Sequence, residues 1–349
     1  ILNIIEDRQG QIWASVAQGG LYKIDPRTGR PGNFTTANGL TSNAIWNTLE
    51  AKDGKIWIGT YEGIDIYDPL TRMIKHIGKA EGMLTDFNPR LMQDSKGRIW
   101  SMGNQLGISI IDPNMETIEQ LSTVHGLETN TISGITEVAD GQYWLGGSEG
   151  EIINVDFNEL IIKYNLPSKA EHVFQNNIIL KDDNNHIWIA GIGSGIYRID
   201  LTTNERVFLT TEEGLLSNIV YSILHDEKNN IWAATDMGVQ RINVENKEIT
   251  TFTTQEGLAA NDVYALAEKN GDIFTGTSRG LTILSPEAAT DQQKPIWSVK
   301  TIGRPQGLNL LDFSENSFTF DRNDKFWAGV QGEMLTVMDE IVKDTITSP

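Results

Sequence analysis

Cysteine is absent from the 349 residues. Its absence removes disulfides, thiolate zinc sites and cysteine nucleophiles together. Basic residues are scarce: 28 Lys and Arg stand against 47 Asp and Glu, a formal charge of −19. Nucleic-acid binding rests on neutralising phosphates, so that partner class is excluded. Docking on an anionic lipid surface is excluded for the same reason. No apolar run reaches 18 residues, so no helical membrane span and no direct membrane contact is expected of this stretch. The five histidines (His76, His125, His172, His186 and His225) are scattered without HxH or HExxH spacing, which speaks against a metal centre. There is no P-loop and no G-x-S-x-G elbow. No cofactor, no metal and no catalytic residue is therefore expected. The first residue is Ile1, which reads as a fragment or a processed product.

What the chain does have is a repeat. QGQIWAS reaches Trp13, DGKIWIGT Trp57, KGRIWSMG Trp100 and GQYWLGG Trp144. NHIWIAG follows at Trp188, NNIWAAT at Trp232, GDIFTGT at Phe274 and DKFWAGV at Trp327. The spacing is 42 to 44 residues until an insertion stretches the last to 53. Short strands at a period near 44 are a propeller signature. Each unit opens on an apolar stretch, often closed by an acid six residues before the Trp: Asp7, Asp94, Asp182, Asp226 and Asp321. A polar turn leads into the Trp strand, and a second turn holds Gly at 19, 63, 107, 150, 195, 238 and 280. A third, alternating strand such as GIDIYDP follows, then a more polar one that ends in a Gly-Leu or Gly-Met pair, as at Gly39-Leu40 and Gly214-Leu215. The pattern predicts four strands per unit, joined by Gly and Asn turns that supply positive φ.

One four-stranded meander cannot bury both its faces, whereas copies stacked around an axis can, and closure removes most exposed edges. The predicted fold is all-β: a β-propeller of four-stranded antiparallel blades, with eight blades, or seven plus a spare or split blade. It reads as a single domain over 1–349, with repeats near 1–41, 42–84, 85–128, 129–172, 173–216, 217–259, 260–309 and 310–349. On this reading the recurring Trp, Gly and Asp are structural. The segment DDNN at 182–185 lacks the alternating ligands and closing Glu of a calcium loop and reads as a turn. GIGSG at 191–195 lies between strands, not ahead of a helix, and also reads as a turn.

The unit N-x-I-x-x-I-x-x-D-x-x-G-x-I-W-x-G-T-x-x-G-I-x-x-x-D-P is seen best at Asn43 to Pro69 and at Asn218 to Asn243. It resembles the two-component regulator propeller repeat, and the resemblance runs through nearly the whole chain. It implies the periplasmic sensor of a membrane-bound histidine kinase or hybrid regulator, often tied to polysaccharide use. It also implies other domains of the same sensor chain as partners, and a tail, VMDEIVKDTITSP, that stands where a β-sandwich would begin. The family has no general catalytic motif and its ligand residues vary, so the resemblance transfers no site.

Ligands of propellers gather at the mouth of the channel, on loops where packing does not dictate the residue. At the starts of the first strands lie Trp46, Arg90, Asn177, Tyr221, Tyr264 and Asn316. The loops after the Trp strands carry Tyr61, Glu62, Asn104, Gln105, Glu149, Asp236, Arg279 and Gln331. Aromatic faces that stack, beside amide and guanidinium groups that donate, suit a sugar. The expected function is an extracytoplasmic sensor that binds an oligosaccharide or other small ligand and signals through dimer rearrangement, with a homodimer as candidate assembly. Two alternatives stand beside it: a protein-interaction propeller without a small ligand, and a propeller lyase acting on a polysaccharide or small molecule.

Overall fold

The recurring tryptophan is held by a recurring bond. In the computed structural model, the indole N–H of Trp13, Trp100, Trp188, Trp232 and Trp327 donates to the Asp six residues earlier, at 2.7–2.9 Å. The other oxygen of each Asp accepts turn N–H groups, as Asp7 does from Gln9 and Gln11 at 2.9 and 2.8 Å. One buried carboxylate thus closes the turn between the first two strands and fixes the ring, more than the turn role that the sequence suggests. Blades 4 and 7 replace this turn with a short Asp-Gly or Asn-Gly hairpin, pairing Ala139 with Gln142 and Lys269 with Asp272. Asn270 and Gly271 both have positive φ, as a tight hairpin turn requires. The Asp position disappears there, and Phe274 has no indole to hold.

The structure describes residues 1–337 apart from 88–89, 104, 148–150, 158–159, 166–174, 288–295, 305–307, 309–311 and 331–333. Eight antiparallel sheets follow one another, seven of four strands in simple meander order and the last with three among the described residues. The fold is an eight-bladed β-propeller, the first of the two arrangements the sequence leaves open. The chain divides into two compact units, Ile1–Ile179 and Leu180–Pro349. Unit 1 holds blades at 3–34, 45–77, 90–121 and 132–165. Unit 2 holds blades at 175–209, 220–252, 263–302 and 313–337, the division falling inside the first strand of blade 5.

Second strands such as Ile12–Val16, Ile56–Thr60 and Asn230–Thr235 are buried along their whole length, because each is flanked on both edges and covered on both faces. In unit 1, for example, Trp13, Leu21 and Ile45 join Ile56, Ile58 and Tyr67 in one cluster that spans two blades. The Gly-Leu pair closes a short 3-10 turn: Gly39, Gly82 and Gly126 take φ of 102–112° and the following Leu or Met is buried. The Asn of the repeat then ties this turn down, its side chain accepting from Thr36, Thr123, Thr211 and Thr254.

Side chains also lace neighbouring blades. The residue paired across from the one before the Trp accepts a backbone N–H from the previous blade's turn: Glu50 from Arg8, Gln93 from Lys52, Glu137 from Ser95 and Glu268 from Glu227, at 2.7–2.9 Å. Asn3 and Asn47 do the same between adjacent first strands, accepting from Thr48 and Leu91.

Blade 2 breaks the Asp rule. Ala51 stands in the Asp position, and the Trp57 indole N–H is buried without a partner. An orphaned buried donor costs about 1–3 kcal/mol. Ala51→Asp is therefore expected to raise stability by about 1 kcal/mol once the cost of burying the carboxylate is set against it. Urea titration at neutral pH measures the change, and a lower midpoint for the variant would refute this account of Trp57.

Candidate functional site

The strand register puts both proposed loop sets at one end of each blade. Ile45, where the first strand of blade 2 begins, pairs with Thr60, where the second strand ends. The turn after the second strand is locked by the Thr of the G-T-x-x-G pattern. Its hydroxyl donates to the Gly carbonyl at 2.8–2.9 Å and accepts an N–H from the turn, at Thr60, Thr235 and Thr277. The two residues between are Tyr61-Glu62, Asp236-Met237 and Ser278-Arg279; the second of each pair is exposed, while Asp236 and Ser278 are half-buried.

Three of the sequence-predicted residues share one backbone device. The first strands of blades 2, 6 and 7 each carry a β-bulge, between Ile45 and Asn47, Val220 and Ser222, and Val263 and Ala265. The extra residues are Trp46, Tyr221 and Tyr264. A bulge takes one side chain out of the alternation and re-aims it.

In unit 1, Trp46 is 36% exposed and Tyr61 56% exposed. Both meet Phe87, whose ring centroid lies 6.0 Å from Trp46, edge-on, and 4.6 Å from Tyr61. Trp46, Tyr61 and the unforeseen Phe87 thus form one open aromatic cluster. Glu62 is exposed beside it. The Arg90 guanidinium donates to the carbonyl of Ser133, which occupies the bulge of blade 4. Gln105 is exposed at positive φ. Asn104 and Glu149 lie outside the described residues, as does the side chain of Asn177.

In unit 2, the Tyr221 and Tyr264 rings stand 5.0 Å apart at 45°. The Tyr264 hydroxyl donates to Asp262 at 3.3 Å. Burial, then the carboxylate of Asp262, then Tyr221 and Asp312 push the Tyr264 phenol up to about 12. Asp236 is half-buried and its Oδ1 is out of water without a partner. Arg279 is exposed. The side chain of Asn316 and residue Gln331 fall outside the described set. Among the described residues no group of three or more His, Asp or Glu is placed to hold a metal ion.

Phe87, Asp262 and Asp312 escape a reading by periodicity because each sits just ahead of a strand, where a turn residue is expected. The signal is in the column: Ala44, Phe87, Thr131 and Ile219 each donate an N–H to a Ser or Thr hydroxyl two residues back. Asp262 and Asp312 occupy the same lead-in place in blades 7 and 8. A position with one backbone role and such varied side chains is not chosen by packing.

The model of the two component regulator propeller family matches residues 39–62 and 214–237, one stretch in each unit. Each runs from the Gly-Leu turn to the turn after the Trp strand. Among solved structures, an extracellular domain described as a one component system of B. thetaiotaomicron is similar at 18% identity and a TM-score of 0.56, over 95% of this chain and 51% of that one. Extracellular domains of two hybrid two component systems of the same organism align at 17% and 14% identity, with TM-scores of 0.37 and 0.41. They cover 93% and 96% of this chain and 54% and 53% of theirs. The chain thus spans about half the length of each solved chain. No curated protein matches the sequence.

Proposed function

We propose, for a chain that carries two component regulator propeller repeats, the role of an extracytoplasmic ligand-sensing propeller in a membrane-bound regulator. The similar solved fold belongs to an extracellular domain, and the same placement, periplasmic in a double-membraned cell, is inferred here. The ligand class is carbohydrate. The observation that carries this reading is the set of bulges that turn Trp46, Tyr221 and Tyr264 out of the strand alternation at the loop end of their blades. Packing gains nothing from a half-exposed Trp, whereas a pyranose stacks on one. The propeller acts by binding alone. It signals when a ligand favours one arrangement of a homodimer, and of the other domains of the regulator chain, over another.

A melting screen against plant and host oligosaccharides tests the reading. A glycan present at about 100 times its Kd stabilises by about 2.7 kcal/mol. The shift is expected to shrink in Trp46→Ala if unit 1 holds the glycan and in Tyr221→Ala if unit 2 does, with little change in the melting point of the unliganded protein. A screen in which no glycan raises the melting point rejects the ligand class. A lyase would consume the glycan that a sensor returns intact, so chromatography of the same samples separates the two. A protein-contact role draws on Leu70, Met73 and Met115, exposed on the hairpins between third and fourth strands of blades 2 and 3.

A further inference from the structure

Three positions recur in blades 2 and 6 and the blade that follows each: the bulge residue of one blade, the first residue of its locked turn, and the lead-in residue of the next blade. In blades 2 and 3 these are Trp46, Tyr61 and Phe87, and the rings of Tyr61 and Phe87 touch. At the junction of blades 5 and 6 the turn and lead-in residues again meet, as a bridge between Ile192 and Ile219. The register of blades 6 and 7 puts Tyr221, Asp236 and Asp262 in those same three places. The next junction repeats the theme with Tyr264 and Asp312.

We propose that this end of unit 2 binds a sugar carrying a protonated amine, its ring against Tyr221 and Tyr264 and its ammonium between Asp236 and Asp262. The proposal rests on the carbohydrate reading above and narrows it. Two observations support it independently. The aromatic pair is aimed by two successive bulges, so a ring-stacking surface exists without any appeal to charge. Asp236 then has a carboxylate oxygen shielded from water with no donor on it. A buried acceptor of that kind is costly until a donor arrives. Among the described residues Asp262 receives the Tyr264 hydroxyl, at 3.3 Å. Asp312 adds negative potential from the next blade. A neutral sugar would satisfy the rings and leave the shielded Asp236 oxygen without a charged donor. An ammonium supplies three donors and the missing charge, and it gains further from the tyrosine faces. At the junction of blades 2 and 3 the equivalent places hold three rings, Trp46, Tyr61 and Phe87, so the ammonium preference is assigned to unit 2.

Calorimetry of the whole chain with glucosamine oligomers and with their N-acetylated counterparts tests the proposal. The free-amine oligomers are expected to bind about fivefold more tightly, the upper scale of one partly exposed charge pair. Raised salt is expected to erase the difference. Asp262→Asn and Asp236→Asn are each expected to lose the preference while keeping the wild-type melting point; should one fail to fold, the other and Asp312→Asn carry the test. Equal or tighter binding of the acetylated oligomers overturns the proposal, as does spermidine binding as tightly as the amino sugar. If neutral glycans bind and the amine brings no advantage, the ammonium site falls and the carbohydrate reading stands. If no glycan of either kind binds, both fall.

Discussion

Asp94→Ala is expected to cost about 3–5 kcal/mol, the scale for removing one partner of a buried, hydrogen-bonded ion pair. The side chain of Asp94 is fully buried. It accepts from the Arg98 N–H at 2.8 Å, Arg98 Nε at 2.7 Å, the Trp100 indole at 2.9 Å and the Tyr143 hydroxyl at 2.9 Å. Tyr143 belongs to the next blade, so the loss opens a junction as well as a turn. The substitution leaves the Arg98 charge buried against Trp100 and Phe157 with, among the described residues, the Tyr143 hydroxyl to receive it. Urea denaturation at neutral pH measures the effect, and a loss below about 1 kcal/mol would show the network to be dispensable.

The same carboxyl carries a pH signature. Burial pushes its pKa up, but hydrogen bonds from Trp100, Arg98 and Tyr143 outweigh burial and hold it below the usual value. A depressed carboxyl contributes stability above its unfolded pKa and loses it as pH falls through the folded one. The gap between wild type and Asp94→Ala should therefore stay constant down to about pH 4 and narrow below it. A gap that widens with acid would contradict the geometry.

Gly238→Ala is expected to cost about 3 kcal/mol or more, from backbone strain together with displacement of a neighbouring strand. Gly238 opens the third strand of blade 6 at φ 142°, and a Cβ there would lie 2.5 Å from the carbonyl oxygen of Phe252 on the fourth strand. Gly280 repeats the arrangement in blade 7, at φ 145° and 2.5 Å from the Ile302 carbonyl. The strand backbone cannot yield without breaking the ladder that it belongs to. Calorimetric melting of the variant reads the loss, and an unchanged midpoint would mean the fourth strand moves aside freely.

The tryptophan spacing made the blades legible because an indole and its Asp need a constant number of residues to reach one another. Trp46, Tyr221 and Tyr264 stand out in the sequence because a Trp or Tyr at the start of an inner strand does no packing that Val or Ile could not. Their bulges do not, since an extra residue in a strand leaves no mark on a period measured from Trp to Trp. The bond from Arg90 to the Ser133 carbonyl was not legible, because its partner lies 43 residues away and no local pattern announces it. Phe87 and Asp262 went unseen because a residue ahead of a strand reads as a turn until the columns are compared across blades. In blade 1 the second-turn glycine at positive φ that opens the third strand is Gly20, not the Gly19 that the spacing suggested, because that turn is one residue longer.

The bonds from Glu50, Gln93, Glu137 and Glu268 to the preceding blade have a bearing on how such a chain can change length. At these four joints, blades 2, 3, 4 and 7 each bring the acceptor that the turn of the preceding blade requires. A tandem copy inserted at the Gly-Leu turn would therefore arrive with both halves of its joints already compatible, on either side. Gene duplication in steps of one period needs no compensating substitution, whereas a gain or loss of half a period would strand a donor at one seam and an acceptor at the other.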